Sequence, residues 1–482
     1  MGKSKAAPDS LDFATISELN QLLRGRQISA QDLASHFLNR LKSIGPQYNA
    51  LALSLDKLAK KQAKEVDDDL KRERFRGPLQ GIPYGAKDLL SVRNYPTTWG
   101  AKPFENQIFD DNAHVINRLR GAGSVLIGKL SMVELAGGGG YNGAGASLQG
   151  PGLNPWNKAY WSGGSSSGSG IAVAAGLVPY ALGSETSGSI MTPASYCGVT
   201  GLRPTYGLVS RRGAMTLSWT CDKIGVLARS AEDCGHALHG IAGKDDADPS
   251  SAGKSFYYSP QYQRQFRDLK IGYNSLDFNQ WVDEPMRPDF LSALNVVKSF
   301  GSEMVEMALP DFPYGLIIGC IIDSEAASVF EEFIRSDRVN ALADSDQING
   351  LKASLNYTAL DYLKAMRIRS QIQASFREVF SKIDVLISPT RFHFPERVDQ
   401  PFDVQDKNRP AAPGQKGVGA GLVQASNLCG LPALSVPCGF VNGLPIGLQF
   451  VGPAFSENTL LSFGREFQRL TDFHKQRPPL MA

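Results

Sequence analysis

Residues 161–176 read WSGGSSSGSGIAVAAG, a Gly/Ser tract that runs without a break into an apolar segment. Gly/Ser tracts usually serve as flexible linkers. A linker would be followed by a fresh start signal, whereas here a buried-looking helix begins at once. A phosphate cradle requires GxxxxGK[ST] or GxGxxG after a strand, but this tract has no lysine and carries Val173 at the final glycine position. Gly164–Gly168 satisfies the GxSxG nucleophile elbow, with Ser166 as its serine. That elbow needs a strand immediately before it and a histidine partner. The preceding NPWNKAYWSGG is polar and turn-rich, and none of the six histidines falls in a recognisable catalytic loop. An α/β-hydrolase esterase built on Ser166 stays open as a remote reading.

Outward from the tract, helical and strand patterns alternate. HVINRLRGAGSVLIGK (114–129) reads as a helix, a glycine stop and a strand, and VPYALGSE (178–185) as a strand ending in a second Gly/Ser/Thr loop. Ser29, with Asp32 three residues on, predicts a helix N-cap. IDVLISPT (383–390) reads as a strand, and LPALSVPCGFVNGLPIGLQFVGP (431–453) as a hairpin turning at Asn-Gly. These elements predict an α/β fold: a large mixed β-sheet flanked by helices on both faces. We expect one domain over residues 15–475, with tails at 1–14 and 476–482. Within it, residues 285–382 are expected to form a helical flank or lid, and 391–417 a long Pro-rich loop.

Composition narrows the function. The net charge of +3 and the absence of a face-sized basic cluster argue against nucleic-acid binding. The six cysteines form no CxxC pair, and no HExxH occurs, so we expect no metal and no cofactor. The longest apolar patch, LIIGCII (316–322), is too short to span a bilayer, and the opening MGKSKAAPDSLDF lacks a signal peptide's apolar core. A cytoplasmic chain without membrane contact is expected.

Two further blocks, GIPYGAKD (81–88) and GSETSGSIMTPASYCGVTGLRPTYG (183–207), together with SGGSSSGSG, resemble the amidase signature family. KLSMVELA, GVLARSAED, IDVLISPT and NLCGLPALSVPCGF extend the resemblance from about residue 15 to residue 470. Ser165 and Ser189 stand 24 residues apart, as the family has them. The resemblance implies that Ser189 is the nucleophile, Ser165 a bridging serine on a cis peptide bond, and Lys87 the base. It also implies an oxyanion hole from the backbone N–H groups of Thr186, Ser187, Gly188 and Ser189. Such a relay suits the sequence, because no histidine lies in these blocks and a buried neutral lysine can serve as base. Ser166, Ser167, Ser184 and Ser187 are expected to support the loops.

Two departures stand out. Ser187 replaces a glycine of the family's loop, and Met191 replaces its arginine, which removes a fixed charge behind the nucleophile. The expected activity is hydrolysis of carboxylic amide C–N bonds through an acyl-enzyme. The glycine-rich segment Ala136, Gly137, Gly138 and Gly139 is expected to border the acyl pocket and leave room for aryl amides, anilides or carbamates. The expected partner is that small-molecule substrate alone, with the chain a monomer or homodimer. The alternative is the amidase-like component of a tRNA-dependent glutamine amidotransferase. Against it, ELAGGGGYNGAGAS (134–147) stands where those proteins carry a Met-Gly-Ser-Ser-Thr-Glu-Asn-like stretch.

Overall fold

Short apolar runs punctuated by glycine and proline become strands, and the amphipathic segments between them become helices that cover the sheet. The computed structural model describes residues 11–260, 264–407 and 418–479. Its strands are β1 (Leu51–Ser54), β2 (Pro83–Lys87), β3 (Val125–Leu130), β4 (Tyr180–Glu185), β5 (Thr200–Arg203) and β6 (Lys223–Ala228). They continue with β7 (Lys270–Tyr273), β8 (Glu303–Glu306), β9 (Val385–Pro389), β10 (Ala433–Val441) and β11 (Leu444–Val451). All join one mixed 11-stranded sheet in the order β1-β3-β2-β4-β6-β5-β10-β11-β9-β7-β8. Strands β2, β3, β4 and β6 are buried along their whole length, as expected where helices pack on both faces.

Local signals hold where the sequence carries them. The Ser29 side chain accepts from the Asp32 N–H at 3.0 Å and caps the helix Ala30–Ile44. Asn442 and Gly443, both at positive φ, turn the β10–β11 hairpin. The segment 285–382 is mainly helical, with Tyr314–Val329 and Ala359–Lys382 its longest helices. It also contributes β8, which pairs in parallel with β7 at the edge of the sheet. Glu303–Glu306 is a short, half-exposed strand with too little alternation to declare itself.

The Gly/Ser tract is a helix, Ser167–Ala174, buried throughout. Glycine disfavours helix, so tertiary packing decides here, not propensity. A Cβ on Gly168 would lie 2.5 Å from both the Ala50 carbonyl oxygen and the Ser131 nitrogen. Only glycine lets this helix start against the exit of β3.

The sequence blocks that carry the family resemblance meet at strand ends. β2 and β4 run parallel, with Ala86 opposite Leu182, so Lys87 ends β2 where β4 approaches Ser184. The loop after β4 carries Ser189. Carboxyl ends of adjacent parallel strands are the usual place for a site in open α/β sheets.

Candidate active site

Lys87 is fully buried, and its Nζ lies 2.7 Å from Ser165 Oγ and 2.9 Å from Ser184 Oγ. Burial pulls the amine from its ordinary 10.5 down to about 7, against the attraction of Asp222 and Glu185. A lysine beside an aspartate is ordinarily a solvated surface charge. Here Asp88 points away from Lys87: it forms a buried ion pair with Lys129 at 2.6 Å and accepts from the Thr98 N–H.

Ser165 follows a cis peptide bond from Gly164, as the resemblance implied. Its carbonyl accepts from the Val133 N–H at 3.1 Å, and the Gly168 N–H donates to the Ser131 carbonyl at 3.0 Å. The segment leaving β3 thus holds the serine turn in place. Ser166 N–H donates to the Ser189 carbonyl at 3.3 Å, which sets the Ser165 and Ser189 segments side by side. The Ser166 hydroxyl donates to the Ser184 carbonyl and accepts from the Ser184 N–H. It is a latch onto β4. With no strand before it and no histidine at hand, the nucleophile-elbow reading fails here.

The Ser189 loop is tied at both ends by one carboxylate. Glu185 Oε2 accepts from the N–H groups of Ile190 and Met191, at 2.8 and 2.9 Å. Its other oxygen pairs with Arg203 at 2.6 Å and accepts from Asn427. Burial favours the neutral acid, but Arg203, Asn427 and the Met191 N–H outweigh it and hold Glu185 below its ordinary value. Between these anchors, the N–H groups of Thr186, Ser187, Gly188 and Ser189 donate to no acceptor among the described residues. Gly188 has φ +93°, which requires glycine, whereas Ser187 is not at positive φ and so replaces the family glycine without strain. Met191 is fully buried. Asp222 accepts from Thr186 Oγ1 at 2.7 Å and from the Leu217 and Ser218 N–H groups, so it steadies the loop from behind.

Ser189 opens onto a cavity of about 430 Å³. Of the glycine-rich segment, Ala136 and Gly137 line it. Gly138 and Gly139 do not: the Gly138 carbonyl accepts from Gln347, and Gly139 packs against Leu351 on the helix Ser345–Ser354. The lining is not small, either. Tyr141, Trp161 and Phe402 wall it with aromatic rings, Trp161 and Phe402 at 4.9 Å between centroids. Arg391, Glu396 and Asp403 supply its charged groups. A second cavity of about 430 Å³ lies behind Thr186 and Asp222; it reaches Ser184 but not Ser189, and its Arg211 is engaged by Ser250, Trp219 and Tyr206.

The family model for amidases matches residues 32–461. The chain belongs to the amidase signature family. It is 36% identical to the A component of the Geobacillus stearothermophilus glutamyl-tRNA(Gln) amidotransferase, over 98% of this chain and 100% of that one. Among solved structures it is similar to the peptide amidase of Stenotrophomonas maltophilia (28% identity, TM-score 0.81, 97% of this chain and 98% of that one). A chain from a vestigial complex, studied for the origins of an s-triazine catabolic enzyme, superposes with TM-score 0.85 at 28% identity and covers 95% of this chain and 98% of its own. As a member of the amidase signature family, the protein is an enzyme acting on C–N bonds.

Several site residues carry no local signal in the sequence. Ser184, expected to support its loop, meets the Lys87 amine directly, and Asp222, Glu185 and Arg203 join the site only through the fold. The segment 391–417 was expected to be a loop; residues 408–417 lie outside the described residues. Its described part is pinned to the cavity wall, with the Trp161 N–H donating to the Glu396 carbonyl at 2.7 Å and the Val398 N–H to the Ala159 carbonyl. It then forms the helix Phe402–Lys407. Among the described residues, no helix is long and apolar enough to cross a membrane.

Proposed function

We propose that the chain hydrolyses carboxylic amides by a Ser189–Ser165–Lys87 relay. Neutral Lys87 accepts the Ser165 proton through its lone pair while an N–H donates to Ser184. Ser165 takes the proton of Ser189, and the Ser189 oxygen forms a bond to the scissile carbonyl carbon. The resulting oxyanion receives the N–H groups of residues 186–189; one such donor is worth roughly 2.7–4 kcal/mol in acyl transfer. Ser165 then protonates the departing nitrogen, the C–N bond breaks, and the acyl group stays on Ser189. Water repeats the sequence and frees the acid. The observation that carries this reading is the Lys87 amine, fully buried, 2.7 Å from Ser165 and pulled down to about 7.

The aromatic wall of Tyr141, Trp161 and Phe402 favours substrates with a flat or apolar group beside the scissile bond, including anilides and aryl carbamates. A second reading has a specific observation behind it. Relatives named as the A component of a glutamyl-tRNA(Gln) amidotransferase match across almost the whole length at 33–36% identity, which favours amide cleavage within an assembly over the aryl-amide reading. Both readings share the acyl-enzyme and differ in where the nitrogen goes. The experiment offers the isolated chain p-nitroanilides, aryl carbamates and glutamine, and follows amine or ammonia release with intact-mass detection of the adduct. Release of p-nitroaniline with an adduct that Ser189→Ala abolishes supports the free-standing hydrolase. An adduct from glutamine alone supports the amidotransferase reading, and no adduct from any amide overturns the relay.

A further inference from the structure

Arg391 is held two residues beyond β9, in a segment that no sequence motif marks. Its Nε donates to Tyr196 Oη at 3.3 Å, and its guanidinium carbon lies 5.7 Å from the Tyr196 ring centre. Among the described residues the guanidinium makes no other hydrogen bond and no ion pair. It is the only cation among the described residues lining the Ser189 cavity. Of the two carboxylates on the same wall, Glu396 attracts the guanidinium's charge from behind Tyr196, and Asp403 is engaged at the rim. Glu396 accepts from Tyr196 Oη at 3.5 Å, one step behind the arginine, and Asp403 accepts from Asn142 Nδ2 at 2.8 Å at the exposed rim. Met191, buried in the core, leaves no cation on the nucleophile loop itself.

We propose, resting on the amide-hydrolase reading, that Arg391 is the specificity-determining residue of this cavity and takes a second oxygen of the substrate. The substrate class is then an amide or carbamate with a carbonyl or carboxylate oxygen besides the scissile one, joined to it by an apolar or flat segment that lies on Trp161 and Phe402. The planar guanidinium presents several N–H donors in a fixed fork, suited to a carboxylate or carbonyl oxygen. Donors facing a partly dry cavity gain most from an acceptor the ligand brings with it. Tyr196 fixes the fork in advance, so little side-chain freedom is lost on binding.

The test uses three p-nitroanilides of equal acyl length: glutaryl, ending in a carboxylate; its carboxamide; and valeryl, ending in a methyl. Equilibrium binding to Ser189→Ala protein is measured by calorimetry, and turnover by the unmutated enzyme. The oxygen-bearing ligands are expected to bind roughly 10- to 100-fold tighter than valeryl, the span of a hydrogen bond to a charged group. That ratio should collapse in Arg391→Met and return in part in Arg391→Lys. A glutaryl advantage over the carboxamide marks a carboxylate substrate, and equality marks a neutral second carbonyl; both support the proposal. Binding of all three alike, including no binding, overturns it without any Arg391 variant, as does a preference that survives Arg391→Met. A preference in binding with no turnover of any anilide sinks the hydrolase reading and leaves the oxygen subsite standing.

Discussion

Unfolded, Lys87 holds its proton to its ordinary 10.5; folded, it releases it at about 7. Between those values the unfolded chain binds the extra proton, so the contribution of Lys87 to stability rises with pH across that window. Replacing the amine with an apolar side chain removes the penalty. Lys87→Met is expected to melt a few degrees higher than the unmutated protein at pH 7, with the gain fading toward pH 10, while adduct formation slows. Calorimetry across that range checks it; a lower melting temperature at every pH would show that the hydrogen bonds to Ser165 and Ser184 outweigh desolvation. The serines should separate by kind. Ser189→Ala is expected to abolish the acyl adduct, whereas Ser165→Ala, which removes proton transfer but leaves the nucleophile, should slow it by about 10²–10⁴-fold. Quenched-flow mass measurements distinguish the two, and equal loss in both would put Ser165 in the role of nucleophile or scaffold. At the level of single residues the sequence was most legible. Lys87, Ser165 and Ser189 lie in short blocks that carry the family resemblance, and the fold brings the Lys87 amine to Ser165. Arg391 and Phe402 share one segment, but Tyr141 comes from a distant one and the three form a wall only after folding, so no local pattern marks them.

The loop after β4 is shaped by a buried pair. Arg203 and Glu185 are both fully buried, and Glu185 also receives the first N–H groups of the helix Met191–Cys197. Removing one partner of such a pair strands a charge at a cost of about 3–5 kcal/mol. Arg203→Met should therefore lower the denaturation midpoint sharply and slow acylation, and adding Glu185→Gln should restore part of the stability. Urea titration reads this directly; a single variant that unfolds with the unmutated protein would mean that Asn427 and the backbone donors suffice. Elements of this kind are half legible. The strands flanking the site announce themselves as apolar runs, and Ser29 as a cap. The apolar half of the helix Ser167–Ala174 does so too, but its start within the Gly/Ser tract does not, because glycines there argue for a loop until the Ala50 and Ser131 backbones are seen against them. β8 is missed for the opposite reason: four half-exposed residues at an edge carry little hydrophobic signal.

Across the whole molecule, the sheet ties distant parts of the chain together. β5 pairs with β10, and β11 with β9, so strands from the two halves of the sequence share one continuous ladder. That continuity predicts a single cooperative thermal transition whose calorimetric and van't Hoff enthalpies agree; two resolved transitions would mean that the β7–β8–β9 edge melts by itself. The most direct test of the relay follows the rate of Ser189 acylation from about pH 5.5 to about 8.5, a window that brackets the Lys87 transition, in the unmutated protein and in Lys87→Ala. A lysine that must be neutral to accept a proton predicts a rate that climbs about tenfold per pH unit below about 7 and levels above it, and a slow, flat profile in the variant. A flat profile in the unmutated protein, or an unchanged rate in Lys87→Ala, would contradict it.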